Sequence, residues 1–200
     1  MDLSPLEADL ENWDPWSPTE ATERLRGVDA HWYVLGGCAL DLFLERETRL
    51  HDDLEIGVRP EEFPEIRSAL ADFELVVVGD GQAWPLTDET LAAHFQTWVR
   101  EPGGPWRLDV IRERWDGDEW IYRRDARIRL PTASVVARSP EEVPFLRPEL
   151  VLLFKAKATR PKDVADFETV LPHLDAGRRS WLRDALATTH PHHAWLDELG

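Results

Sequence analysis

Asp53 and Glu55 lie two residues apart in the run Asp52-Asp53-Leu54-Glu55-Ile56-Gly57-Val58. On a strand, residues two apart share a face at roughly 7 Å, so both acids look one way while Leu54 and Ile56 look the other. Two carboxylates so placed repel each other and lose hydration unless something positive sits between them. A hard divalent cation answers both costs, because Mg²⁺ takes carboxylate oxygens, keeps several waters and lets substrate phosphates complete its octahedron. Upstream, Gly36 and Gly37 stand at a strand-to-helix turn. They permit close backbone approach and leave N–H groups, with that of Cys38, at a helix N-terminus where a phosphate can rest. Either feature alone has a bland reading, a turn or an exposed strand edge; their closeness in the chain is what links them.

A third acid completes the set of candidates. Trp106-Arg107-Leu108-Asp109-Val110-Ile111 reads as a strand after the Pro102–Pro105 turn, with Trp106, Leu108 and Val110 on one face and Asp109 on the other beside Arg107 and Ile111. An acid in mid-strand among apolar residues needs a reason. Asp116 and Asp118 compete for the same role, but they flank Gly117 in what reads as a hairpin turn, where Asp is expected for local hydrogen bonding. Asp52 is out of phase with Asp53, and His51 beside these acids reads as a hydrogen-bonding strut. All three lysines, Lys155, Lys157 and Lys162, fall within eight residues, whereas every other basic residue is Arg or His. Asp163 and Asp166 share a helix face there, placed either to bind a cationic acceptor or to hold Lys155 and Lys157.

The elements that must position these residues read as follows. Residues 1–16 form an irregular acidic arm with Trp13 and Trp16 that covers an apolar surface. Ser17-Pro18-Thr19-Glu20 is a capping box opening a helix that runs to about Gly27. A strand over Trp32–Leu35, a helix from near Cys38 to Leu44 and the strand carrying Asp53 and Glu55 follow. In that helix Leu40, Phe43 and Leu44 form the core stripe, and Asp41 either orients the following loop or is solvated. Phe63, Ile66, Leu70 and Phe73 are spaced as a helix, Leu75–Val78 as a central strand, Gly79–Pro85 as a turn, Thr87–Ala93 as a short helix and Phe95–Val99 as a strand. Asp118–Tyr122 and Ala126–Leu130 read as a hairpin. Pro131, Pro140, Pro144 and Pro148 mark a linker, beyond which helices run over Glu149–Thr159, Pro161–Leu174 and Arg178–Thr188, with a short tail helix and solvated tail histidines. The expected class is α+β: a mixed-sheet lobe with flanking helices over residues 1–147, including the N-terminal arm, and a C-terminal helical lobe over 148–200.

The stretch Gly36-Gly37-Cys38 to Val58 resembles the active-site signature of the nucleotidyltransferase superfamily, and most closely its aminoglycoside 2''-adenylyltransferase and lincosamide nucleotidyltransferase group. Members carry a Gly-Gly, an apolar helix with an internal Asp, a Gly-Arg-x-Thr-Arg-x-His-like loop and a D-x-D strand. Here the loop reads Glu45-Arg46-Glu47-Thr48-Arg49-Leu50-His51, with Glu45 in place of the usual Gly, and the acidic pair is Asp53-Leu54-Glu55. The helical segment with Lys162, Asp163 and Asp166 resembles the same family's lysine-bearing region. The resemblance implies a nucleotidyltransferase-like fold and Mg²⁺-dependent transfer of AMP from ATP to a hydroxyl of a small, aminoglycoside-like acceptor. It implies Asp53, Glu55 and Asp109 as metal ligands, Asp109 as base, and Gly36, Gly37, Cys38, Arg49, Lys157 and Lys162 on the nucleotide. It places Asp163 and Asp166 toward the acceptor. The departures at Glu45 and Glu55 favour the alternative, a catalytically weak or inactive regulatory protein of the antitoxin-like kind.

Composition is consistent with this. A formal charge of −16 repels nucleic-acid phosphates and anionic membranes and attracts polycationic small molecules, although it also simply keeps a chain soluble. One cysteine excludes an internal disulfide framework and a cysteine zinc site. No apolar run reaches membrane-spanning length and no signal pattern opens the chain, so the expectation is a cytoplasmic monomer or homodimer that binds neither nucleic acid nor membrane.

Overall fold

The computed structural model describes residues 4–200, so the first three residues of the expected arm lie outside the described residues. Two compact units form, Met1–Val34 with Leu50–Trp115 and Leu35–Arg49 with Asp116–Gly200. In chain order the elements are α1 (Pro18–Arg24), β1 (Tyr33–Val34), α2 (Gly36–Leu44), β2 (Glu55–Val58), α3 (Phe63–Ala69), β3 (Glu74–Gly79), β4 (Gln82–Trp84), α4 (Asp88–Ala93), β5 (Gln96–Arg100) and β6 (Trp106–Arg112). They continue with β7 (Arg114–Asp116), β8 (Glu119–Ile121), β9 (Arg129–Pro131), β10 (Val136–Arg138), β11 (Pro144–Leu146), α5 (Pro148–Lys155), α6 (Pro161–Val170), α7 (Ala176–Thr189) and α8 (Trp195–Glu198). The α+β class is as expected.

In the first unit the strands run in the order β1-β2-β6-β5-β3-β4. Only β2 and β6 are parallel; the other neighbours are antiparallel, so the sheet is mixed. The capping box is present: Ser17 N–H donates to Glu20 Oε2 at 2.8 Å, and Glu20 N–H to Ser17 Oγ at 3.2 Å. The expected turn at Gly79–Pro85 is instead a hairpin, because Asp80 (φ 54°) and Gly81 (φ 72°) make a two-residue turn that sends β4 back along β3. A bulge between Val99 and Arg100, opposite the start of β6, breaks the simple alternation expected there. Trp106 thus shares a face with Trp98, at 5.5 Å between ring centroids, and lies under the Arg100 guanidinium. The N-terminal arm covers this face as expected. Trp106 N–H donates to Asn12 O and its indole N–H to Asp9 O at 2.7 Å, while Trp13 packs edge-on against Trp98.

In the second unit α5 is the central helix, with Leu150, Leu152 and Leu153 fully buried among α2, α6 and α7. The supposed linker is a β10–β11 hairpin; Pro144 is tolerated at the first residue of its strand. The β8–β9 hairpin matches expectation within a residue or two. The tail differs from the solvated reading: Phe167 stacks on Trp195 at 4.2 Å, and His193 Nε2 lies 3.1 Å from Ala156 O while Nδ1 accepts the Trp195 N–H. Among the described residues no helix is long and apolar enough to cross a membrane.

Two backbone positions carry tests. A Cβ at Gly57 would sit 2.7 Å from Cε2 of buried Tyr33, its partner across the β1–β2 ladder. Gly57→Ala is expected to cost about 1–3 kcal/mol, read as a lower urea midpoint at unchanged m-value. Glu45, which ends α2, is left-handed (φ 53°), where a Cβ is unfavourable and glycine is not. Glu45→Gly is expected to raise the midpoint by the equivalent of about 0.5–1 kcal/mol; a lower midpoint would reject that account of the position.

Candidate active site

The first unit gathers the acids. Glu55 opens β2 and is half-buried, and in the parallel ladder its register partner is Asp109. The ladder continues one residue further, since Asp109 N–H donates to Leu54 O at 2.8 Å. Asp53 is not part of the strand, as expected from alternation, but precedes it and is exposed. Chain order alone does not reveal that β2 pairs with β6. Register does the work that spacing was expected to do: Glu55 and Asp109 are the two acids brought together, with Asp53 two residues before.

Asp109 is 3% exposed. Gln96 Nε2 donates to its Oδ2 at 2.6 Å, whereas Oδ1 is buried with no hydrogen-bond partner among the described residues. Trp98 is Asp109's register partner on the other side, in β5. Burial pushes the Asp109 carboxyl well above the usual carboxylate range, and the Glu55 charge adds to this. Gln96 and the Trp98 indole oppose the rise, and Asp53 contributes weakly to it. Arg112, three residues on, is turned to other partners, donating to Thr97 Oγ1 and to His94 O at 2.7 Å; burial pulls its guanidinium down to about 10.

The fit of a cation to these residues rests on that orphaned oxygen. A buried carboxylate oxygen without a donor, beside a second carboxylate, is an all-oxygen donor set of the kind hard cations prefer. Among the described residues no three His, Cys, Asp or Glu side chains converge into a closed metal cage. The arrangement therefore suits an ion that takes one or two carboxylates and completes its shell with water and phosphate oxygens.

The second unit holds the other candidates. Helix α2 opens at Gly36, two residues before the expected start, because Leu35 is extended and Gly36 takes φ 61°. Gly37 and the buried Cys38 fill the first turn, and the N-cap residue, Leu35, makes no side-chain cap hydrogen bond. Asp41 orients the following loop: its Oδ1 accepts the Thr48 N–H at 3.1 Å and the Thr48 hydroxyl. Arg49, at the end of that loop, makes a two-pronged pair with Asp166, Nε to Oδ1 at 3.0 Å and Nη2 to Oδ2 at 3.1 Å. Lys155 Nζ stands 2.8 Å from Asp166 Oδ2 and 3.2 Å from Asp163 Oδ1, and Arg160 closes on Asp163 from its other side. Asp163 and Asp166 are thus engaged inside the unit. Lys157 is exposed and Lys162 half-buried. The centre of this network is Lys155, which only its clustering with the other lysines marks in the sequence. Gln96 and Trp98 carry no such mark, although their alternation in the expected Phe95–Val99 strand puts them on one face.

Comparison with known proteins was decisive for the fold. Residues 19–95 match the family model for aminoglycoside-2''-adenylyltransferase. The solution structure of the antibiotic-resistance factor ANT(2'')-Ia superposes with a TM-score of 0.58 at 16% identity, over 88% of this chain and 95% of that one. The fold is nucleotidyltransferase-like. The crystal structure of ANT(2'')-Ia with adenylyl-2''-tobramycin gives 0.57 at 16% identity, over 86% of this chain and 94% of that one. The lincomycin-bound lincosamide adenylyltransferase LnuA gives 0.55 at 12% identity, over 80% and 99%. Comparison with curated protein sequences finds no match. Together these structures show that the chain shares a nucleotidyltransferase-like fold with adenylyltransferases.

The ion network yields a test. Burial raises the carboxyls of Asp163 and Asp166, but hydrogen bonds and charge from Arg160, Arg49 and Lys155 outweigh it and hold both below the usual range. Their stabilising contribution is then present above an unfolded-chain pKa of about 3.9 and lost as pH falls through the lower folded values. Lys155→Met, which leaves Asp166 to Arg49 and Asp163 to Arg160 alone, is expected to cost about 1–3 kcal/mol at pH 7. The penalty shrinks as pH is lowered below about 4, where Asp163 and Asp166 protonate. Thermal melts across pH check both points.

Proposed function

We propose that this protein transfers AMP from ATP to a hydroxyl of a small cationic acceptor of the aminoglycoside kind. The observation that carries the reading is the buried, half-satisfied carboxylate of Asp109 in register with Glu55, on a fold shared with adenylyltransferases. In this reading the acceptor oxygen forms a bond to the α-phosphorus, the bond from that phosphorus to pyrophosphate breaks, and the hydroxyl proton passes to Asp109 Oδ1. Asp53 and Glu55, with Asp109, would hold Mg²⁺ together with the triphosphate, and the ion would supply charge neutralisation there. The backbone N–H groups of Gly36, Gly37 and Cys38 suit phosphate oxygens, and Arg49, Lys157 and Lys162 oppose the charge of the leaving group.

Asp163 and Asp166 we assign to holding Arg49 and Lys155 in place, the structural one of their two sequence readings. The net charge of −16 favours a cationic acceptor through long-range attraction. The solved structures similar to this chain hold lincomycin and adenylyl-2''-tobramycin, and these antibiotics define the first acceptors to try.

The test is pyrophosphate release from labelled ATP and Mg²⁺ with a panel of aminoglycosides and lincosamides. Asp109→Asn and Asp53→Asn are expected to lower acceptor-dependent release about 10²–10³-fold or more, and a metal chelator to abolish it. Full activity in either variant would sink the assignment. Failure of the wild-type protein to bind Mg-ATP at millimolar concentration would replace it with a non-catalytic role.

A further inference from the structure

We propose that Gln96 is a positioning residue, clamping Oδ2 of Asp109 so that Oδ1 alone is presented to the incoming group. The inference rests on the reading of Asp109 given above and adds to it a residue on a different strand. Three observations carry it. Gln96 Nε2 stands 2.6 Å from Asp109 Oδ2, a short side-chain hydrogen bond. The other oxygen is buried and has none. The two residues come from adjacent antiparallel strands, where Gln96 pairs with Ile111 and Trp98 with Asp109, so the amide reaches Asp109 diagonally along one face.

The chemistry explains why an amide suits this place. The terminal torsion of an aspartate is broad and nearly two-fold, so a carboxylate held by its backbone alone would offer either oxygen over a range of angles. One short hydrogen bond to Oδ2 removes that freedom and fixes where the lone pairs of Oδ1 point, the pre-organisation on which a positioned base depends. A lysine or arginine in place of Gln96 would fix the carboxylate equally well but would form an ion pair with it and weaken it as a base. A carboxylate would repel it. A neutral donor orients without quenching. Trp98, the register partner, is neutral as well, so the β5 side of Asp109 is built from uncharged groups while charge enters from Glu55 on the β2 side.

The test is a double-mutant cycle with two readouts: Mn²⁺ binding in the presence of ATP, followed by electron paramagnetic resonance, and acceptor-dependent pyrophosphate release. The proteins are wild type, Gln96→Leu, Asp109→Asn and the double variant, with Gln96→Met as a second way to remove the donor should the leucine variant melt early. Expected is a several-fold loss of Mn²⁺ affinity and a loss of kcat of about tenfold on removing the amide, with the KM for ATP within about twofold, a pattern of lost transition-state positioning. Both losses should disappear when Asp109 is already Asn, because Gln96 acts through it. Unchanged Mn²⁺ affinity and kcat in Gln96→Leu and Gln96→Met would overturn the proposal while leaving the role of Asp109 standing. So would a loss that persists undiminished in the Asp109→Asn background, as a purely structural effect would. Absence of Mn²⁺-ATP binding to the wild-type protein would instead overturn the reading of Asp109 itself, and this inference with it.

Discussion

Burying one carboxylate in the middle of a β-sheet is the constraint from which the first unit takes its form. Asp109 loses its water, and a single amide hydrogen bond of about 1–3 kcal/mol when charge-assisted does not replace the hydration of an ion. The remaining cost is carried by the packing around it. Trp106, Leu108, Val110, Ile56 and Val58 are buried on the two parallel strands, and the N-terminal arm seals the neighbouring face with Trp13 against Trp98. A parallel pair cannot be closed by a hairpin. The chain from Val58 to Trp106 therefore has to make the detour through α3, β3, β4, α4 and β5, and it is the last of these that brings Gln96 and Trp98 alongside Asp109.

The second unit solves the opposite problem, holding cations in a chain that is strongly acidic overall. Lys155 is buried between two aspartates, and Arg49 and Arg160 approach the same carboxylates from outside. Three cations face two anions there, so the cluster carries a formal surplus of one positive charge. The salt bridges themselves are weak evidence of stability, because desolvation offsets much of their attraction. What they do securely is fix direction: a guanidinium held at two points by Asp166 has its remaining N–H groups aimed, and the loop that carries it is itself tied to Asp41 through Thr48.

Much of this was legible in the sequence where the signal is local. The capping box at Ser17, the strand periodicity of Leu75–Val78, the helical lysine-bearing segment and the Gly-Gly turn are each set by residues a few positions apart, and each formed within about a turn of its expected place. The misses share a cause. The start of α2 depends on Gly36 adopting a positive φ, the face of Trp106 on a bulge, and the Pro131–Pro148 hairpin on a pairing that proline content obscured. The site behaved likewise. Asp109 stood out because an acid in an apolar strand is conspicuous, whereas Gln96 is an ordinary polar residue until register places it 2.6 Å from that acid. Non-local pairing creates its role, and no window of sequence contains it.

The Asp-Leu-Glu spacing gains a meaning from the structure that it lacks on paper. Asp109, Glu55 and Asp53 form a gradient of burial, from enclosed through half-buried to exposed. Neighbouring strands lie about 4.8 Å apart, so the longer side chain of Glu55 can extend past the fixed, buried carboxylate beside it toward solvent, where an aspartate would stop short. The side chain of Glu55 thus keeps contact with solvent beside the enclosed carboxylate of Asp109.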